Sequence, residues 1–250
     1  MPRYKFIIEY DGSPYAGWQR QAGQPSVQEA IETALLKICG VLAPLTTAGR
    51  TDAGVHATAQ VTHVDLTKDW PAQTICAALN AHLRQAGEAI AILNVEKVSD
   101  DFNARFSALK RQYRYLILNR RAPPTLESKR VWWQPRRLDA DKMHQAAQSL
   151  IGYHDFTTFR ASACQAKSPL RTLDKLEVIR EGEQIVVEAQ ARSFLHNQVR
   201  SMVGSLVEVG LGRWKIADLE QALASRDRAR CGRVAPACGL YLIQVVYPDS

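Results

Sequence analysis

Two hydrophobic periods alternate along this chain, and their order leaves few folds open. Tyr4, Phe6, Ile8 and Tyr10 recur at every second residue, the spacing of one strand face, and Asp11-Gly12-Ser13-Pro14 ends the run. Val27, Ala30, Ile31, Ala34, Leu35 and Ile38 then recur at helical spacing. Pro25 and a Ser26…Glu29 capping box open that helix, and Gly40 closes it. A strand follows from Ala59 to Leu66. The next helix runs from Pro71, in its first turn, through Ile75, Leu79 and Leu83 to Gly87, and a further strand spans Ala89 to Val98. Strands and helices interleaved in this way predict an α+β unit.

The second half repeats the coarse order. Gln112 to Leu118 reads as a strand. Pattern is then lost from Asn119 to Leu138, where Arg120, Arg121, Lys129, Arg130, Arg136 and Arg137 are mixed with prolines and with Trp132-Trp133. Basic side chains beside aromatic rings suit an RNA surface, and equally a solvated loop with buried tryptophans. A helix is expected from Asp139 to Gly152, strands at Leu173–Arg180 and Gln184–Arg192, a helix carrying Val199, Met202, Val203, Leu206 and Val207, a shorter one from Ile216 to Ala224, and a last strand from Leu240 to Tyr247. The halves suggest a duplicated unit without aligning residue by residue.

Between the first helix and the strand that follows it lies Gly49-Arg50-Thr51-Asp52-Ala53-Gly54-Val55-His56-Ala57. Glycines on both sides allow backbone angles or close approaches that present a carboxylate at a site. Asp52 is thus a candidate nucleophile or base. The same spacing fits an Asp that bonds its own turn, with Arg50 as a surface ion partner.

The chain has 250 residues, enough for one large domain or two ordinary ones, and 46% of them are hydrophobic. Lys and Arg total 32 against 25 Asp and Glu, a formal charge of +7 that fits a polyanionic partner. The five cysteines are scattered with no Cys-x-x-Cys pair, and the six histidines form no His-Glu-x-x-His. No phosphate-binding loop of the Gly-x-x-x-x-Gly-Lys type occurs, so neither a metal nor a nucleotide cofactor is expected. With no apolar run of ~18 residues and no charged-then-apolar leader, the expected location is cytoplasmic.

The Asp52 segment resembles the active-site signature of the tRNA pseudouridine synthase A (TruA) family. YDGSPYAGWQRQ at Tyr10–Gln21 is similar to that family's opening motif. ARFSALKRQYRY at Ala104–Tyr115, GYHDF at Gly152–Phe156, FLHNQVR at Phe194–Arg200 and APACGL at Ala235–Leu240 follow in its order. The resemblance implies two similar α/β subdomains related by a pseudo-twofold, with antiparallel sheets side by side, helices outside and a basic central cleft. Residues 1–105 would carry the catalytic Asp loop and residues 106–250 the Tyr, Arg and Leu of the site. It further implies a homodimer and isomerisation of uridine to pseudouridine at positions 38, 39 and 40 in the anticodon stem-loop of tRNA.

By the same resemblance Asp52 is the nucleophile, and Arg50 fills the space left by the flipped nucleotide or holds its phosphate. Tyr113 stacks on the uracil and assists loss of the C5 proton, Arg200 pairs with the carboxylate, and Leu240 packs beneath the base. Read without the family, Tyr113 alternates with Tyr115 and Ile117 as a core residue, Arg200 is a phosphate or surface group, and Leu240 is core. The sequence departs from the family pattern at Ala59, where Gly is usual, at Asn103, where His is common, and at Cys231 and Cys238. Two other readings stand beside the enzyme. One is a non-catalytic RNA-binding protein of the same fold. The other is a hydrolase, which needs a second carboxylate that only folding can bring, from Glu188 or Asp155.

Overall fold

The computed structural model describes residues 1–248. They divide into two compact units. The first is Met1–Leu109 together with residues 241–248, and the second is Lys110–Leu240. The sequence places a boundary at 105/106 and gives everything after it to one subdomain. The final strand instead groups with the first unit, where it runs beside the strand that begins at His56.

In the first unit β1 (Arg3–Tyr10) pairs antiparallel with both β3 (His56–Asp65) and β4 (Ile90–Val98). The far edge of β3 is shared. The short β2 (Thr46–Thr47) covers Thr62 and His63, and β10 (Leu240–Val246) runs parallel to β3 at His56 and Ala57. Tyr4, Phe6, Ile8 and Tyr10 all face the core, as their alternation predicts. Helix α1 (Val27–Cys39) begins where the Ser26 side chain accepts from the Glu29 N–H, and it ends at Gly40 with φ 71°. Helix α2 (Ala72–Gln85) packs on α1 and β4, sending Ile75, Leu79 and Leu83 inward. Opposite Glu9 the register slips, so that Ile8 faces Gln60 but Tyr10 faces Ala57. This bulge contains Ala59.

Strand β3 is buried on both faces. Its other side meets Ala48, Ala104, Phe102 and Tyr247, and the His63 ring accepts the Ala104 N–H at 3.1 Å. Burial, and then the nearby Arg3 charge, pushes that imidazole below its usual range, so it stays a neutral acceptor. Asn103, one of the departures from the family pattern, caps its own turn by accepting the N–H groups of Arg105 and Phe106.

In the second unit β5 (Lys110–Leu118), β9 (Gln184–Ala191), β8 (Leu170–Glu181) and β7 (Gly152–Asp155) form an antiparallel sheet in that order. The stretch without pattern supplies β6 (Trp132–Trp133), parallel to β5. Helix α3 (Ala140–Gln148) lies on β8 and against α4 (Gln198–Gly210), with α5 (Ile216–Ser225) beside them. The helix expected to reach Gly152 stops at Gln148, because Gly152, at φ 110°, instead turns the chain into β7. Each unit is therefore a mostly antiparallel sheet with helices packed against it. Among the described residues no helix is long and apolar enough to cross a membrane.

Helix α4 carries a face of small residues, Ser201, Gly204 and Ser205, over which the segment from Cys231 to Ala235 passes. A Cβ on Gly204 would lie 1.7 Å from the Arg233 carbonyl oxygen. Ser205 Oγ accepts the Gly232 N–H at 3.0 Å and donates to the Ser201 carbonyl at 2.9 Å. Because backbone meets backbone here, Gly204→Ala should cost about 1–3 kcal/mol or more. Urea unfolding of the variant checks this, and an unchanged midpoint would contradict the crossing.

Candidate active site

Asp52 sits on the connection between β2 and β3. The Val55 N–H returns to the Asp52 carbonyl at 3.1 Å, and Gly54, at φ 76°, takes the left-handed position that closes the turn. The segment Asp11–Trp18 lies against this turn. A Cβ on Gly12 would come within 2.0 Å of the Val55 carbonyl oxygen, and one on Gly17, itself at φ 113°, within 2.7 Å of the Thr51 carbonyl oxygen. Gly17 and Asp52 face each other as an isolated antiparallel bridge, and the Trp18 N–H donates to the Thr51 carbonyl at 3.0 Å. The two glycines of the first motif therefore exist for the second.

Side chains complete the support. His56 Nδ1 accepts the Gly12 N–H at 3.1 Å with Asp11 Oδ1 3.2 Å away, and the ring stacks on Tyr241 at 4.7 Å. Gln60, Tyr10 and Thr51 are buried beneath the loop. The outcome is a graded exposure: Thr51 and Val55 are buried, Asp52 is half-buried and Arg50 is exposed. A carboxylate so placed can meet a substrate without first leaving a core.

The other three expected residues lie in the second unit. Tyr113 on β5 stands opposite Ala189, its ring edge-on to Phe194 at 5.2 Å. It is half-buried, whereas Tyr115 and Ile117, with which it alternates, are fully buried. Arg200, in the first turn of α4, donates from Nε to the Ala235 carbonyl at 2.8 Å and from Nη1 to Asn197 Oδ1 at 2.8 Å, while its own carbonyl accepts the Ala235 N–H. Its charge is held by the segment that leads to Leu240. That segment is fixed again by Tyr115, whose hydroxyl donates to the Pro236 carbonyl at 2.7 Å, and by Gly239, where a Cβ would lie 2.7 Å from the Tyr115 ring. Burial first, and then neighbouring Cys238, push the Tyr115 hydroxyl well above its usual range, which keeps it a donor. Leu240 follows, buried at the start of β10.

Neither carboxylate that the hydrolase reading calls for has the character of a general acid. Glu188 is gripped by Arg114 at 2.7 Å and by Lys175 at 3.1 Å, and the hydrogen bond from Arg114 above all holds it below the usual range. Burial pushes the Asp155 carboxyl up, but hydrogen bonds from the Thr157 side chain and N–H outweigh it and leave the group depressed. A proton donor to a leaving group requires the opposite shift. Among the described residues no three His, Cys, Asp or Glu side chains gather as metal ligands would.

Sequence reasoning named Asp52, Arg50, Tyr113, Arg200 and Leu240 as candidates but did not name Tyr10, Thr51, His56 or Gln60. Tyr10 was hidden by its fit to the apolar face of β1. Gln60 left a signal, an uncharged polar side chain within the run from Ala59 to Leu66 that reads as a strand.

The family model for tRNA pseudouridine synthase matches this chain in two segments, residues 6–107 and 146–248. Among curated proteins, tRNA pseudouridine synthase A of Bartonella bacilliformis is 64% identical, the alignment covering 99% of this chain and 100% of that one. The protein of the same name from Mesorhizobium japonicum is 62% identical at the same coverage, and that from Brucella anthropi is 61% identical over 99% of this chain and 98% of its own. A chain of a solved Cbf5–Nop10–Gar1 complex has a TM-score of 0.39 at 13% identity, over 98% of this chain and 50% of that chain. On the family match and on identities above 60% along whole chains, this chain belongs to the tRNA pseudouridine synthase A family.

Proposed function

We propose that this enzyme isomerises uridine to pseudouridine at positions 38, 39 and 40 of the anticodon stem-loop of tRNA, with Asp52 as nucleophile. The observation that carries the proposal is the presentation of Asp52: a half-buried carboxylate on a turn whose backbone is pinned from beneath, beside an exposed Arg50. The N-terminal subdomain supplies these two groups, and the C-terminal subdomain supplies Tyr113, Arg200 and Leu240.

The chemistry asks for little else. The bond from C1′ to N1 of uracil breaks, the base turns, and a bond from C1′ to C5 forms while the C5 proton leaves and N1 takes one up. No electrons are exchanged and no group is lost, so no cofactor is required. The target must leave the stem before its ribose can be approached, at a cost of a few kcal/mol. Arg50 then occupies the vacated stack or holds the phosphate. The ring of Tyr113, half-open on its strand, stacks on the extruded uracil, and its hydroxyl takes part in moving the C5 proton. Leu240 packs the other side. Arg200, oriented by Asn197 and Ala235, pairs with the carboxylate and aims it. Asp52 adds to C1′ or to C6, either of which is covalent catalysis, or removes a proton from the ribose to open an elimination route. The enzyme works as a cytoplasmic homodimer.

Affinity comes from phosphate contacts, for which the formal charge of +7 and the exposed Arg121, Arg130, Arg136 and Arg137 are suited. Asp52→Ala should therefore form no pseudouridine while binding tRNA within about threefold of the unaltered protein. Chromatography of digested tRNA and a filter-binding titration check the two halves. A variant that loses binding and fold together would return Asp52 to a structural role. Replacing uridines 38, 39 and 40 by cytidine should abolish product, and persistence of product would move the target elsewhere. Binding should also weaken at least about tenfold between 50 and 200 mM salt, as release of counterions from phosphates requires.

A further inference from the structure

We infer that Tyr10 and Gln60 are positioning residues of this reaction, fixing the backbone that carries Arg50 and Asp52. The inference rests on the reading of Asp52 given above and extends it to two side chains that need touch no substrate.

Three polar side chains meet beneath the loop where solvent does not reach: Tyr10, Gln60 and Thr51 are 3%, 0% and 7% exposed. Gln60 Nε2 donates to the Gly49 carbonyl at 2.8 Å and lies 3.4 Å from the Tyr10 hydroxyl. That hydroxyl is 2.8 Å from Thr51 Oγ1. Gln60 Oε1 accepts the N–H of Val61 at 3.2 Å, which fixes the orientation of the amide with its NH2 toward the loop. The residues held are thus 49 and 51, on either side of Arg50, with the second directly before Asp52. A chain gripped at alternate residues keeps one relative aim for the side chains between and just beyond them.

Packing alone does not ask for this chemistry. Tyr4, Phe6 and Ile8 fill the same face of β1 by apolar burial or, for Tyr4, with a hydroxyl that reaches out to Asp69 and Trp70. A phenylalanine at position 10 and an aliphatic side chain at 60 would occupy equivalent volume. Buried polar groups carry a desolvation cost, and when every member is bonded they select one conformation in return. Burial pushes the Tyr10 hydroxyl up to about 12, so it stays neutral over any working pH. The bulge at Ala59 belongs to the same arrangement, since it sets the small Ala57 opposite Tyr10. Catalysis responds steeply to such placement, because a displacement of about 1 Å can cost on the order of a hundredfold in rate.

The test compares Tyr10→Phe, Gln60→Glu and the double variant with the unaltered enzyme, measuring kcat and KM for pseudouridine formation in tRNA, the thermal midpoint and tRNA affinity. Gln60→Glu is isosteric, keeps an acceptor for Val61 and turns a carboxylate oxygen toward the Gly49 carbonyl. Its kcat should fall roughly 10- to 100-fold and that of Tyr10→Phe roughly five- to tenfold, with KM and affinity within about twofold. The double variant should lose less than the product of the two losses, since both act on one backbone. Rates within twofold of the unaltered enzyme would overturn the inference, as would losses of kcat that follow a fall in midpoint or a rise in KM. If Gln60→Glu does not fold, Tyr10→Phe, which removes one oxygen, decides. An unaltered chain that makes no pseudouridine overturns the reading of Asp52 and this inference with it. An active chain silenced by Asp52→Ala but indifferent to both variants overturns this inference alone.

Discussion

The candidate site depends first on a place where two backbones meet with no room for a side chain. Gly12 and Gly17 lie so close to the turn at Asp52 that a single added carbon would overlap the carbonyls of Val55 and Thr51. Close contact of this kind converts a loop, ordinarily the least constrained part of a domain, into a support as stiff as a strand pair. The hydrogen bonds of Trp18, His56 and Gly54's turn then have fixed partners to work with. A nucleophile gains from this because the entropy of aiming it is lost during folding and not during the reaction.

The second unit reaches the same end by similar means. Its segment from Cys231 to Leu240 is laid over the small face of α4 at Gly204 and Ser205 and stopped against the Tyr115 ring by Gly239. Arg200 grips that segment through both its side chain and its backbone, so the cation and the approach to Leu240 are set by one local geometry. In both units a glycine marks the crossing and a buried tyrosine hydroxyl holds the neighbouring segment, Tyr10 through the Thr51 side chain and Tyr115 through the Pro236 carbonyl.

Most regular elements were legible because their periods are long enough to see. Eight residues of strict alternation in β1 and the capped, amphipathic α1 determine themselves locally. What escaped was structure that exists only through a distant partner. Two or four residues, as in β2, β6 and β7, carry no period, and they are strands because Thr62, Ile117 and Leu173 lie beside them. The last strand looked like the end of the second subdomain. It groups with the first, where it runs parallel to β3 at His56 and Ala57, a pairing that no local pattern announces. At the candidate site, the bracketing glycines drew attention to Asp52, while the role expected of Arg50 came from the family resemblance alone. Tyr113 was ambiguous, since alternation groups it with buried Tyr115, and only the fold leaves its ring half-open against Phe194. Tyr10 and Gln60 were missed because burial of a polar group becomes informative only once its partners are known.

The central claim is that Asp52 carries an isomerisation in which uracil is rejoined through C5. The most direct measurement follows tritium from C5 of uridine in labelled tRNA, with a chelator present, for the unaltered protein and for Asp52→Asn. Formation of the new carbon–carbon bond must expel that hydrogen to solvent. Release by the unaltered protein that disappears in the variant is the result this account predicts. Equal release from both, or none from the unaltered protein across a full panel of tRNAs that it binds tightly, would contradict it.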